Sequence, residues 1–139
     1  MKKWEIIIPV ITAILIISGF GYGWKEYHRK HADTTELKAA VKKEAMALIR
    51  EFKDDESGAN LLYNDKILSI KGRVLRIENN GDTRNVVLGD ESSLGGVICE
   101  FQAEHKDEAD KLQPGQQISV KGICTGMLLD VVLVRCVLE

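Results

Sequence analysis

Three cysteines and a short series of lysines and arginines are the residues of this sequence best suited to chemistry. Two of the thiols close the stretch CTGMLLDVVLVRC, as Cys124 and Cys136; the third is Cys99. Thiols so placed hold a metal, exchange electrons, form a bridge or fill a core. Zinc sites bring their ligands in close pairs, whereas 24 residues separate Cys99 from Cys124 and 11 separate Cys124 from Cys136. His105 opens a polar segment and His28 and His31 lie beside the apolar N terminus, so no metal is expected. There is no C-x-x-C for redox cycling. Two structural readings stay open: buried free thiols, or one bridge with Cys124–Cys136 as the favoured pair. A hairpin centred near Met127–Leu128 sets Cys124 opposite Val131, with Cys136 several residues further on, which strains that pairing.

The basic set is Lys71, Arg73 and Arg76, followed by Arg84, with Tyr63 shortly before it. Cations interleaved with an aromatic ring would suit a nucleic-acid strand, with phosphates on the cations and a base on the ring. The charge balance opposes this. The chain carries −2 overall, and residues 31–139 hold 14 Lys and Arg against 19 Asp and Glu. Phosphate neutralisation supplies most of a nucleic-acid binder's affinity, so an acidic domain disfavours such a partner, and a solvated sheet face accounts for these residues more simply. No Ser-His-Asp, Cys-His or paired-carboxylate set stands out, and there is no glycine-rich phosphate loop. An enzyme is not expected, nor a cofactor. Asp130, in LLDV, is expected to cap a turn through its own backbone.

These residues must be positioned by three regions: residues 1–30, 31–58 and 59–139. From Ile6 to Gly23 the chain is uncharged, with Trp4 and Trp24 at its ends. That predicts a single N-terminal transmembrane helix, uncleaved, in the cytoplasmic membrane. No cysteine follows the apolar run, so attachment as a lipoprotein is not expected. Lysines flank both sides, and the short N-terminal tail places the C-terminal domain outside the cytoplasm. Gly19 and Gly23 form one GxxxG. From Asp33 to Phe52, the residues Leu37, Ala40, Val41, Ala45, Leu48, Ile49 and Phe52 recur at helical spacing. They predict one amphipathic linking helix, with Asp33 and Glu36 as its capping box and Gly58 as its stop.

Beyond Tyr63 the period falls to two. KILSIKGRVLRIEN predicts a long first strand bent at Gly72, NNGD a turn, RNVVLG a second strand and GVICEFQ a third. EHKDEADKL predicts a short helix touching the core through Ala109 and Leu112; QISVKGICT and DVVLVRCVLE complete five strands. The order β-β-β-α-β-β is that of an all-β, five-stranded OB-fold Greek-key barrel, here preceded by the amphipathic helix and the membrane span. An SH3-like barrel would not place a helix at that point.

Residues 37–139 resemble the tRNA_anti-like family of bacterial OB-fold proteins. The resemblance is carried by Ala59, Asn60, Tyr63 and Lys66, by VICEF and LQPGQQISVKG, and most specifically by the Gly, Cys, Gly, Asp-Val and final Cys of GICTGMLLDVVLVRCVL. It implies an OB barrel, often membrane-anchored or lipid-modified, and says little of the ligand. The expectation is therefore a membrane-anchored binding or assembly module of the cell envelope, taking a protein or other envelope ligand; a single-stranded nucleic acid is the alternative.

Overall fold

The computed structural model describes residues 8, 9, 11, 12, 14–19, 21 and 34–139. The chain divides into two compact units, residues 1–31 and 32–139. In the first, the described residues are helical. Of the span predicted over residues 6–23, residues 6, 7, 10, 13, 20, 22 and 23 lie outside the described residues. Among those that are described, no helix is long and apolar enough to cross a membrane.

The second unit runs β1 (Val41–Glu44), α1 (Ala45–Asp54), α2 (Glu56–Tyr63), β2 (Ile67–Asn80), β3 (Thr83–Leu88) and β4 (Val97–Phe101). A 3₁₀ turn (Ala103–His105), α3 (Lys106–Asp110), β5 (Gln117–Met127) and β6 (Val131–Leu138) follow. At 14 residues, β2 is long enough to serve two partners. Its first half, Ile67–Arg73, pairs antiparallel with β5, and its second half, Val74–Asn80, with β3. β4 then pairs with β6 in parallel, and β6 with β5, which closes the barrel. This five-stranded closure with a helix between β4 and β5 is the OB-fold.

Alternation decides which side chains enter it. Val86 and Leu88, then Val97, Cys99 and Phe101, and then Val131 and Leu133 are buried inward and form one core with Leu68, Ile70 and Val74. Ala109 and Leu112 close one end from α3 and the turn after it, as the sequence indicates. Gly72 sits where a helix meets the barrel. A Cβ there would come within 2.8 Å of the Ala45 Cβ and 3.2 Å of the Leu88 Cβ. The register shift in β2 lies further on, between Val74 and Arg76.

The predicted linking helix is corrected in two respects. Val41–Glu44 is a strand, parallel to Leu68–Lys71, so the sheet has six strands and not five. β3 covers only the second half of β2, leaving the first half with open backbone groups on that side. Their hydrogen bonds outweigh a helical preference that is worth only tenths of a kcal/mol per residue. The helix therefore starts at Ala45 and buries Ala45, Leu48, Ile49 and Phe52, at i, i+3, i+4 and i+7. Nor does Gly58 end it. Asp55 breaks the chain, and its carboxylate accepts from Gly58 N at 3.0 Å, capping a second helix. Asp33 lies outside the described residues, so the proposed capping box is not described; residues 34–40 form a turn and extended chain.

Candidate functional site

The five sequence-predicted site residues occupy separate places. Lys71 and Arg73 are exposed on the first half of β2. Lys71 lines a shallow groove of about 540 Å³ with Lys42, Lys43, Glu44, Ser69, Ser119 and Glu139, across β1, β2, the start of β5 and the residue after β6. The Ser69 hydroxyl donates to Glu139 within it. Arg73 lies near Asp90, whose carboxyl is held below its usual value chiefly by the Ser92 backbone N–H, then by the Ser92 hydroxyl, with Arg73 a lesser influence. Arg76 pairs with Glu78 at 2.6 Å on the surface. Arg84 stands opposite the inward-facing Phe101 and pairs with Asp110 of α3, so it fastens the helix to the barrel end.

Tyr63 is no stacking platform. It is buried with its ring 6.0 Å from that of Phe52. Its hydroxyl donates to Glu51, which also pairs with Lys43, and the Lys43 ammonium lies 5.4 Å from the tyrosine ring centre. The Lys43 and Tyr63 hydrogen bonds hold the Glu51 carboxyl below its usual value. The same bond to Glu51 raises Lys43, while burial and then Glu51 raise the Tyr63 phenol. The trio binds β1, α1 and α2 together.

In OB-folds the second and third barrel strands and the loop between the fourth and fifth form the usual ligand surface. Here these are β3, β4 and the β5–β6 hairpin. Since Val86, Leu88, Cys99 and Phe101 point inward, Asn85, Ile98 and Glu100 point outward. The register aligns Glu78 with Asn85 and Asn85 with Glu100, and places Ile98 against Val132. Val134 lies next along β6 from Leu133 and opposite Ile123. The outward face is thus an aliphatic strip of Ile98, Val132 and Val134 with Glu78 and Glu100 beside it. No aromatic side chain stands on β3, and the single one on β4, Phe101, is buried. The Asn85 amide oxygen is buried without a hydrogen-bond partner. This face leaves only a faint trace in the sequence. Its signal was the run VVLV in β6, which is apolar on both sides of a strand where alternation calls for polar residues on one.

The hairpin tip and the loop before β4 are joined by Asp130. Its carboxylate accepts from Gly96 N at 2.6 Å, so it clamps a neighbouring loop and does not cap its own turn. All three cysteines are buried free thiols. Cys124 pairs with Leu133, not Val131, because the hairpin carries a register shift between Cys124 and Gly126. Of the two readings left open, the structure holds the buried free thiols, with Cys124 opposite Leu133 and not Cys136. Arg135, at φ 53°, bulges the strand. Cys136 then turns over Gly122, where a Cβ would stand 2.6 Å from its Sγ. Its neighbouring thiol is that of Cys99; burial first, then that contact, push the Cys136 thiol well above its ordinary value. Among the described residues no His, Cys, Asp or Glu cluster could hold a metal ion.

Among the solved structures to which the chain is similar, one superposes well enough to support the fold. A crystal structure from Klebsiella pneumoniae, of a "putative nucleic acid-binding lipoprotein", superposes with a TM-score of 0.62 at 14% identity, over 72% of this chain and 92% of that one. A "putative aspartyl-tRNA synthetase" from Leishmania major aligns at TM-score 0.49 and 18% identity, over 72% of this chain but 20% of its own length. The Stn1-Ten1 complex of S. pombe aligns at TM-score 0.42 and 18% identity, over 49% of this chain and 52% of that one. A search of curated proteins finds no match. The tRNA_anti-like family matches residues 1–138, and with its barrel closed as described the chain belongs to that family.

Proposed function

We propose that the chain is a membrane-anchored binding or assembly module of the cell envelope, without catalytic activity, whose outward β3–β4–β6 face takes a protein or peptide segment. The observation that carries this reading is the composition of that face: Ile98, Val132 and Val134 beside Glu78 and Glu100. Aliphatic side chains beside carboxylates suit an apolar segment with basic residues and repel phosphate. The anchor rests on the uncharged run 6–23 and its bordering tryptophans.

Single-stranded nucleic acid is the second reading, and one observation favours it. Lys42, Lys71 and Arg73 are all exposed along the adjacent strands β1 and β2. Glu44 and Glu139 share the Lys71 groove and weaken its field.

One titration separates the two. Full-length protein in detergent is mixed with a fluorescent basic-apolar peptide set or with labelled single-stranded DNA, at low and physiological salt. The expected result is peptide binding that weakens several-fold on Glu100→Lys, with no oligonucleotide binding at low salt. Salt-sensitive oligonucleotide binding, lost on Lys71→Glu with Arg73→Glu, would replace the peptide reading with the nucleic-acid one.

A further inference from the structure

One end of the barrel carries a concentration of exposed leucines that the ligand face does not explain. Leu61, Leu62, Leu94, Leu128 and Leu129 are 85%, 56%, 87%, 93% and 86% exposed. In residues 34–139 the one other large exposed hydrophobic residue is Leu37. Single exposed leucines are ordinary; a group of them marks a contact surface.

These five come from three segments held together at one end. Leu61 and Leu62 lie on α2, whose Asn60 side chain would meet a Cβ on Gly126 at 2.8 Å, just before the β5–β6 tip. Leu128 and Leu129 form that tip. Leu94 precedes Gly95, where a Cβ would stand 3.1 Å from the Leu129 carbonyl oxygen, and Gly96, bonded to Asp130. Lys53 at the end of α1 donates to the Leu94 carbonyl. Positive φ at Gly95 and Gly126, 104° and 101°, lets both loops turn so that their leucines face away from the core.

The chain enters the domain along the first half of β2 and the middle of β5. Ala40 N donates to Ile67 O at 2.8 Å, where β2 begins, and Lys121 Nζ donates to Thr35 O at 3.0 Å. Nine residues separate Trp24, at the end of the apolar run, from Thr34. Fully extended they reach at most roughly 35 Å. A domain tethered this closely meets the bilayer at high effective concentration, so a contact too weak to hold a free domain suffices to orient a tethered one.

We propose that the leucine end rests on the bilayer, with Leu128, Leu129 and Leu94 inserted into the interface and Leu61 and Leu62 alongside. The inference rests on the anchored reading given above. Asp55, Glu56 and Asp65 lie near this end and are exposed, so the contact is apolar and does not depend on anionic headgroups. It would leave the opposite end, with α3 and the β2–β3 turn, directed away from the membrane.

The test uses the full chain in phosphatidylcholine vesicles containing brominated acyl chains. The native thiols are fully buried, so a fluorophore attaches selectively to Leu129→Cys, or to Asp82→Cys in the β2–β3 turn as a reference. Quenching several-fold stronger at 129 than at 82 is expected. A label at Leu94→Cys should lose most of its quenching when Leu128→Asn and Leu129→Asn are added, changes at solvent-facing sites that leave the core intact. Equal or absent quenching at both positions, with the protein still floating with the vesicles, would overturn the leucine contact alone. A second copy or a protein covering this end would give that same result. Failure to float would instead overturn the anchor reading, and the inference with it.

Discussion

At the scale of single residues, the chemistry-bearing side chains are mostly structural. Tyr63 and Glu51, with Lys43, show how. Glu51 has its folded pKa lowered by Lys43 and then Tyr63, so its contribution is present above the ordinary carboxylate value of about 4.3 and is lost as pH falls through the lowered one. Lys43 has its folded pKa raised. Its contribution is present below about 10.4 and is lost as pH climbs through the raised value. Between those limits Glu51 and Lys43 are both charged and the Tyr63 phenol keeps its proton and stays neutral. The Glu51 and Lys43 side chains are 40% and 24% exposed, so solvent screens the pair and Glu51→Gln is expected to cost about 1 kcal/mol or less at pH 7. Denaturant titrations should show the wild-type advantage shrinking as pH falls through the lowered Glu51 value; a loss of equal size at pH 7 and in acid would assign the effect to packing. Tyr63 was legible as a notable aromatic but not as a buried one, because a single residue between a helix and a strand has no periodicity to show its side.

At the scale of elements, close approaches decide more than propensities do. Gly72 lets α1 pack on β2, since a Cβ there would already crowd Ala45 and Leu88. Gly72→Val adds bulk at that contact and is expected to destabilise by about 1–3 kcal/mol. A thermal melt would show it; an unchanged midpoint would mean that α1 shifts freely and that the contact does not matter. The five barrel strands and the short helix were readable from period-two alternation and from the turn signals NNGD and QPGQ. β1 was not. VKKE continues a helical pattern, and only the unpaired edge of β2, whose residues lie 27 positions later in the register Val41↔Leu68, draws it into the sheet.

At the scale of the whole molecule, the thiols report the compartment. Cys99 and Cys136 lie side by side on β4 and β6, and Cys124 lies apart from them. If the domain faces an oxidising compartment, a thiol–disulfide oxidase acting on the folding chain would convert the two thiols into one disulfide, its own disulfide being reduced to the dithiol. Alkylation of unfolded, unreduced protein should then label Cys124 alone and leave the 99 and 136 peptides joined. Three labelled thiols would place the domain in a reducing compartment and reverse the predicted orientation. A 124–136 link would contradict the register of the β5–β6 hairpin.

The sequence by itself determined the barrel, its strand order and the inward set Val97, Cys99 and Phe101, because alternation and turn chemistry are local and repeat along the chain. It also determined that the domain is acidic, which set nucleic acid second among the candidate ligands. Only the tertiary structure decided which charges meet. It set Arg84 on Asp110 and Arg76 on Glu78, and so left Lys71 and Arg73 exposed together from a basic set that looked continuous in one dimension. It alone gathered leucines from positions 61, 62, 94, 128 and 129 at one end. Such gatherings depend on barrel closure and hairpin register, which join residues with no fixed spacing in the chain.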